Sequence, residues 1–384
     1  MTSKTASSSV GTFLAREGAS ALSKVEAHKL ADFSVEKIGN HNSMLGWIFV
    51  QFKKMLQEET ILKGLKSLFK GHISGESKHQ YDAFSHEFKI FDDLSNYYGN
   101  QYRGSFIFIY LMGALAVLIA LIPVGFSFEY HFGHDAHLYE FLFTGIELFV
   151  ILTILIVNRI GTTPHERHIG NSFFGYKFNR RWHQRWIEYR ILAERFRYME
   201  ILYPIGINPL IEGVAQKNDL NIWINAYYAM RLTQTATSSV EDKSAYKARL
   251  LAVMEGQSNY HLKNSHHAEH IHHRIHMLAI WLFYATLIAC AAHFAWHDPI
   301  LTLASGFFPA FSAAMHGILA NGEFSKSVDV SERMHQQIEK MLKRLQATSA
   351  EQEIRDIAID FHNIVIGEAL SWRAMFKDKN VPLA

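Results

Sequence analysis

The pattern of apolar and polar positions along the chain alternates between two regimes. From Ser105 to Phe128 no position is charged, and FIFIYLMGALAVLIALIPVGF, at about 1.5 Å per residue, is long enough to cross a hydrocarbon core of roughly 30 Å. Phe141 to Asn158 (FLFTGIELFVILTILIVN) is a second such run, interrupted by Glu147 alone and stopped by Arg159. Ile275 to Trp296 and Pro299 to Asn321 make a third and a fourth, separated only by His297 and Asp298. So short a connection predicts an antiparallel hairpin. The pattern as a whole predicts an all-α polytopic membrane protein, with four transmembrane helices in two hairpins and helical segments outside the membrane.

Between these runs the period changes to that of amphipathic helices. In Val25 to Phe69, Leu45, Ile48, Phe49, Phe52, Met55 and Leu56 form an apolar stripe opposite Lys53, Lys54, Glu58 and Glu59. That stripe fits a packed helix or, with Trp47 and Lys63, Lys66 and Lys70, a helix lying on the inner leaflet. Tyr81 to Tyr98 predicts a helix leading into the first span. Asn179 to Tyr198 predicts a strong, half-buried helix ended by Pro204 and Pro209, and helical signal returns from Ser244 through Tyr260 into a histidine-rich stretch. Further helices are expected to Leu345 and from Ile354 to Trp372. The expected divisions are an N-terminal helical region with a disordered start (1–80), a first hairpin with its following helix (81–199), a helical linker (200–274), a second hairpin with its helix (275–345), and a last helix and tail (346–384).

Charge adds orientation. The net charge of +2 says little, but both hairpin turns lack Lys and Arg while their flanks carry them. The positive-inside rule then places the turns outside and both termini in the cytoplasm. MTSKTASSSVGTF has no apolar core, so the first span is expected to direct insertion. The single cysteine, Cys290, lies within an apolar run and excludes an intramolecular disulfide. Nucleic acid is not implied as a partner, and no cofactor is expected.

Candidate chemistry is sparse. Glu147, with Glu140 and Thr144 on the same helical face, forms a polar stripe suited to a pore or cation path, or to a structural glutamate; His293 and His316 are further polar positions within the spans. His266, His270 and His273 share a face at metal-ligand spacing, and His266 to His270 satisfies H-x-x-E-H, a weak match in so histidine-rich a tract. A proton-sensing or merely solvated helix fits the same residues. The histidine pairs at the two ends of the third span lie about a membrane apart, which argues against a di-iron hydroxylase. No Walker loop, Rossmann glycine pattern or nucleophile elbow is present, so catalysis is not expected.

Three stretches together carry a resemblance: DDLSNYYGNQYRGSFIFIYLMGALAVLIALI, RRWHQRWIEYRILAERFRYM and EGQSNYHLKNSHHAEHIHHRIHML. From about Tyr81 to Leu345 the chain resembles bacterial SLATT-type membrane proteins. The most specific part is the W-x3-W-x2-YR-x3-ER array of Trp182, Trp186, Tyr189, Arg190, Glu194 and Arg195. The resemblance implies a pore-forming or membrane-perturbing effector in a bacterial antiviral defence system, acting with a cytosolic sensor. Homo-oligomerisation is expected because four helices packed around themselves leave little lumen. The contrasting classes are a non-conducting scaffold that recruits a cytosolic partner and a small-ion channel or transporter unrelated to defence.

Overall fold

The computed structural model describes residues 43–57, 84–161, 181–206 and 242–376, with Ile224, Tyr227, Tyr228, Arg231 and Pro382 as single positions. The expected polar start, the Val25–Phe69 helix outside 43–57 (with Glu58 and Glu59), the 162–180 connection and most of 207–241 lie outside the described residues. Among the described residues the fold is all-helical, with no strand. The principal helices are α1 (Met44–Gln57), α2 (Ser85–Gly125), α3 (Ala136–Gly161), α4 (Trp182–Leu202), α5 (Lys243–Ala295), α6 (Pro299–Gly322), α7 (Phe324–Ala347) and α8 (Glu351–Phe376).

Four of these helices, α2, α3, α5 and α6, contain stretches long and apolar enough to cross a membrane. Two of them extend well beyond their apolar runs. From Ser85 on, the helix expected before the first span and the span itself are one unbroken helix, α2. Likewise α5 crosses residue 274 without a break and, at 53 residues, is about 80 Å long. Asp242 caps its start through the backbone N–H groups of Ser244 and Ala245.

Local chemistry fixes both hairpin turns. Asp298 accepts the backbone N–H of Ile300 at 2.8 Å, and Pro299 occupies the first turn of α6, so three residues suffice to reverse the chain. After α2, Ser127 takes a left-handed conformation and Phe128 packs on Phe132, Tyr139 and Phe143. The exposed Tyr130 and Phe132 beside it are the residue types that favour a membrane–water boundary.

The spans form an open row, α3–α2–α6–α5, and not a closed bundle. Helix α2 packs on α3 and α6, and α6 packs on α5, while α3 meets α5 and α6 at most marginally. Glycines set the antiparallel α2–α6 contact: a Cβ at Gly306 would lie 2.6 Å from the Leu121 side chain, and one at Gly317 would overlap the Tyr110 ring. Asn321 Nδ2 donates to Tyr110 Oη at 2.8 Å at the end of this seam, and Ser312 Oγ donates to the Ala279 carbonyl at 3.0 Å in the next. This register puts both hairpin turns at the same end of the row.

The outer faces of the row are apolar and bare, with Phe141, Leu142, Phe149 and Leu152 on α3 and Trp281, Phe283, Leu287 and Ile288 on α5. Only 11% of the most apolar window of α3 and 17% of that of α5 is buried within the chain. A water-soluble bundle would bury these faces, since each such side chain left in water forgoes about 1.5–3 kcal/mol. Lipid covers them without that penalty, which makes this a membrane protein.

At the end opposite the turns, α4, α7 and α8 gather around the polar halves of α2 and α5. Helix α7 continues α6 after the left-handed Glu323 and runs back along α5, zipped by Asn264–Ser331 (2.8 Å) and Ser258–Glu339 (2.6 Å) hydrogen bonds. Lys247 Nζ donates to the Thr348 carbonyl at 2.6 Å and ties down the α7–α8 turn. A distal core of Tyr198, Leu250, Met254, Ile338, Leu345, Ile357 and Phe361 fills the space between α4, α5, α7 and α8.

Candidate functional site: a cavity at the end of the spans

Helix α4 departs from the half-buried expectation: nearly every described side chain from Trp182 to Met199 is buried or half-buried. Trp182, Trp186, Tyr189, Glu194 and Arg195 are buried and Arg190 is half-buried, so the signature array faces inward. Tolerance of so many charges follows from pairing. Glu194 takes Arg190 at 2.6 Å and Arg197 at 3.1 Å, and Asp92 of α2 stands 3.6 and 3.7 Å from the same two guanidiniums. Arg185 donates to Tyr98 Oη at 2.8 Å, and Arg195 lies over the Tyr228 ring at 5.4 Å.

Where α4 crosses α2, two glycines of α2 allow close approach. A Cβ at Gly99 would lie 2.8 Å from the Trp186 indole, and at Gly104 it would overlap the Leu45 carbonyl oxygen of α1. Helix α1 is thereby seated on α2, with Leu45 and Leu56 buried and Ile48, Phe49, Phe52 and Met55 packed against the core. The stripe's described part thus packs on the chain itself, while Lys63, Lys66 and Lys70 lie outside the described residues. Trp47 points away and stays exposed.

These crossings enclose a cavity of about 350 Å³, of the size of small-molecule sites. Its lining combines the polar Lys53, Asn96, Asn100, Arg103, Arg190, Asn264 and Glu368 with the apolar Phe49, Phe52, Phe106, Ile107 and Ile271. The cavity lies where α2 passes from Arg103 into the uncharged run and where α6 ends, at the boundary between spans and polar bundle. Arg103 lies over two aromatic rings, its guanidinium carbon 4.6 Å from the Trp186 ring centroid and 5.3 Å from that of Phe49. The buried Tyr102 Oη and His261 Nδ1 have no hydrogen-bond partner.

Burial pushes Glu368 up to about 7, against the pull of Arg190 and the hydrogen bond to Trp372, and Glu194 pushes the same way. The folded chain therefore holds this proton more tightly than the unfolded one. The resulting stabilisation is complete below about pH 4.5 and is lost as pH rises to about 7. Glu368→Gln removes that loss: it is expected to melt with the wild type at about pH 5 and above it at about pH 8, by on the order of 2 kcal/mol. Parallel thermal unfolding curves across that range check it, and identical pH profiles would refute it. His362, lowered by burial to about 4, titrates below this window.

The candidate pore residues are not brought together within one chain. Glu147 is half-buried on the stripe of α3 that also carries Phe143, Val150 and Ile154 and leans on α2. Glu140 stands 3.4 Å from His137, and the exposed Thr144 donates to the Glu140 carbonyl at 2.9 Å. His293 lies near the turn of the second hairpin with its ring 5.9 Å from that of His297, whereas His316 is exposed beside His276, 6.3 Å away. Since α3 and α5 are the two ends of the row, these groups do not line a common path in one subunit. His266, His270 and His273 lie exposed on α5, and among the described residues no three ligand side chains converge as a metal site.

Arg103, Lys53, His261 and Glu368 were not singled out by sequence pattern as site residues. The available signal was Arg103, the last charge before an uncharged run, which reads equally well as an ordinary interfacial anchor. Comparison of the chain with protein-family models, with curated proteins and with solved structures finds no match in any of the three.

Proposed function

We propose that the protein is a membrane effector of a bacterial defence system, forming a pore or perturbing the bilayer as a homo-oligomer, gated through its helices outside the membrane. In this reading it resides in the inner membrane with both termini and the cavity in the cytoplasm, where a sensor or signalling partner delivers the trigger. The observation that carries the reading is that α2 and α5 are at once walls of the cavity and spans. A change at Arg103 or His261 is thus transmitted along rigid helix into the membrane without crossing a loop. The open row supports the oligomer, because its bare edges allow copies to join side by side and surround a path that one chain lacks. In such a ring the Glu140–Thr144–Glu147 stripe is the cation-attracting lining.

Reconstitution in liposomes tests the proposal. Potassium and dye release are expected to rise more steeply than in proportion to the number of chains per vesicle, and Glu147→Gln is expected to reduce cation over anion selectivity severalfold. Absence of release at any loading, or release strictly proportional to loading with unchanged selectivity in the variant, would remove the pore reading.

A further inference from the structure

We infer that the cavity between α1, α2, α4, α5 and α8 is a binding site for a phosphate group, with Arg103 and Lys53 as its cations. Among the described residues no carboxylate pairs with either of them. The neighbouring Arg190 differs, because Glu194 and Asp92 already satisfy it. Arg103 is half-buried in the cavity and Lys53 stands at its exposed edge, and two like charges held near one another repel unless an anion joins them. Burial holds the Lys53 ammonium below its ordinary value and Arg103 adds to that effect.

The geometry around Arg103 specifies the kind of anion. Its contacts with Phe49 and Trp186 are to aromatic rings, which leave the guanidinium N–H groups for a ligand, and the planar fork they form suits an oxyanion held by two parallel hydrogen bonds. Tyr102 Oη and His261 Nδ1, both more than nine-tenths buried and unpartnered, supply further polar groups to the same cavity. Asn100 lines the cavity as well, and so does Asn96, whose Nδ2 donates one hydrogen bond to Asp92 at 3.0 Å. So many donors around two positive charges exceed what a carboxylate can use and match the oxygens of a phosphate monoester. Glu368, the carboxyl group of the lining, is held up to about 7 by burial, so that near that pH only about half of it is charged and it repels an anion less than an ordinary carboxylate.

The apolar residues of the lining indicate what the phosphate is attached to. Phe106, Ile107 and Ile271 lie where the two spans begin, so a phosphate at Arg103 has headgroup height and its ester substituent faces apolar side chains. A lipid headgroup and a soluble organic phosphate share this chemistry. The inference rests on the reading of the cavity as the gating site, yet the two fail separately: binding is measured without any flux.

The test uses the full chain purified in neutral detergent and three probes: dioctanoyl phosphatidic acid, glycerol 3-phosphate and dioctanoylglycerol. Phosphatidic acid is expected to raise the melting temperature in a saturable manner, with affinity lowered about tenfold or more in Arg103→Gln and in Lys53→Gln and unchanged in Lys340→Gln on the exposed face of α7. Phosphatidic acid binding without glycerol 3-phosphate binding assigns the site to a lipid; comparable binding of both assigns it to a soluble phosphate. Without ligand, Arg103→Gln is expected to melt at or above the wild type, since it removes an unpaired charge, which separates lost binding from lost folding. If it fails to fold, Lys53→Gln and the charge-preserving Arg103→Lys carry the comparison. Binding of dioctanoylglycerol equal to that of phosphatidic acid, affinity unaffected by the variants, or no binding of either phosphate overturns the inference.

Discussion

Glu194→Ala is expected to destabilise the polar bundle by about 3–5 kcal/mol, among the largest losses available from one side chain in this chain. The carboxylate is buried, and its two oxygens are divided between Arg190 at 2.6 Å and Arg197 at 3.1 Å. Removing it leaves both guanidiniums to Asp92, which stands further away, at 3.6 and 3.7 Å. The damage comes from the orphaned cations more than from the lost attraction, so Glu194→Gln, which keeps the volume, is expected to be nearly as harmful. Asp360→Ala is the contrast. Its partner Arg344 is 3.8 Å away and both side chains are about half exposed, so the change should stay within about 0.5 kcal/mol. Denaturant unfolding in detergent, followed by tryptophan fluorescence from Trp182 and Trp186, measures both. Equal small effects would mean that the α4 charges are solvated and not buried.

Gly104→Ala is the second large effect, and it arises from backbone proximity where Glu194 acts through charge. The added methyl would overlap the Leu45 carbonyl oxygen, and a main-chain atom of a packed helix yields only if the helix moves. Helix α1 must lift, with Leu45, Phe49 and Phe52 losing part of their packing on α2 and the lid of the cavity opening. A loss on the order of 3 kcal/mol is expected, accompanied by faster proteolysis at Lys53 and Lys54. Gly256→Ala on α5 meets open space and is expected to be neutral or to stabilise by about 0.5–1 kcal/mol through helix propensity alone. If Gly104→Ala behaves like Gly256→Ala, α1 does not sit on α2 as described.

The two positions show how differently fold and site were legible in the sequence. The four spans could be read because a run without charge has one physical meaning at that length, and the short reversals around Ser127 and Asp298 followed from the residues between the runs. The helical character of α4 was equally plain, but its burial was not. Its charges lie on all sides, which in periodicity resembles a helix with a wet face, and only the carboxylates of Glu194 and of Asp92, a hundred residues away in the chain, make an inward placement tolerable. The polar stripe on α3 and the histidines of α5 carried the clearest local signals, yet the row arrangement keeps Glu147, His293 and His316 apart within one subunit.

What the sequence determined by itself is which segments enter lipid and where the chain reverses, because transfer of a segment into hydrocarbon depends on that segment's own composition and length. Tertiary structure decided the order of the spans, through Gly306 and Gly317 admitting α2, and the existence of the cavity, through Gly99 and Gly104 admitting Trp186 and α1. A glycine in a helix reports only the absence of a side chain. Which neighbour occupies the vacated space, and which cation is thereby enclosed without a partner, depends on helices distant in sequence that meet only when the chain is folded.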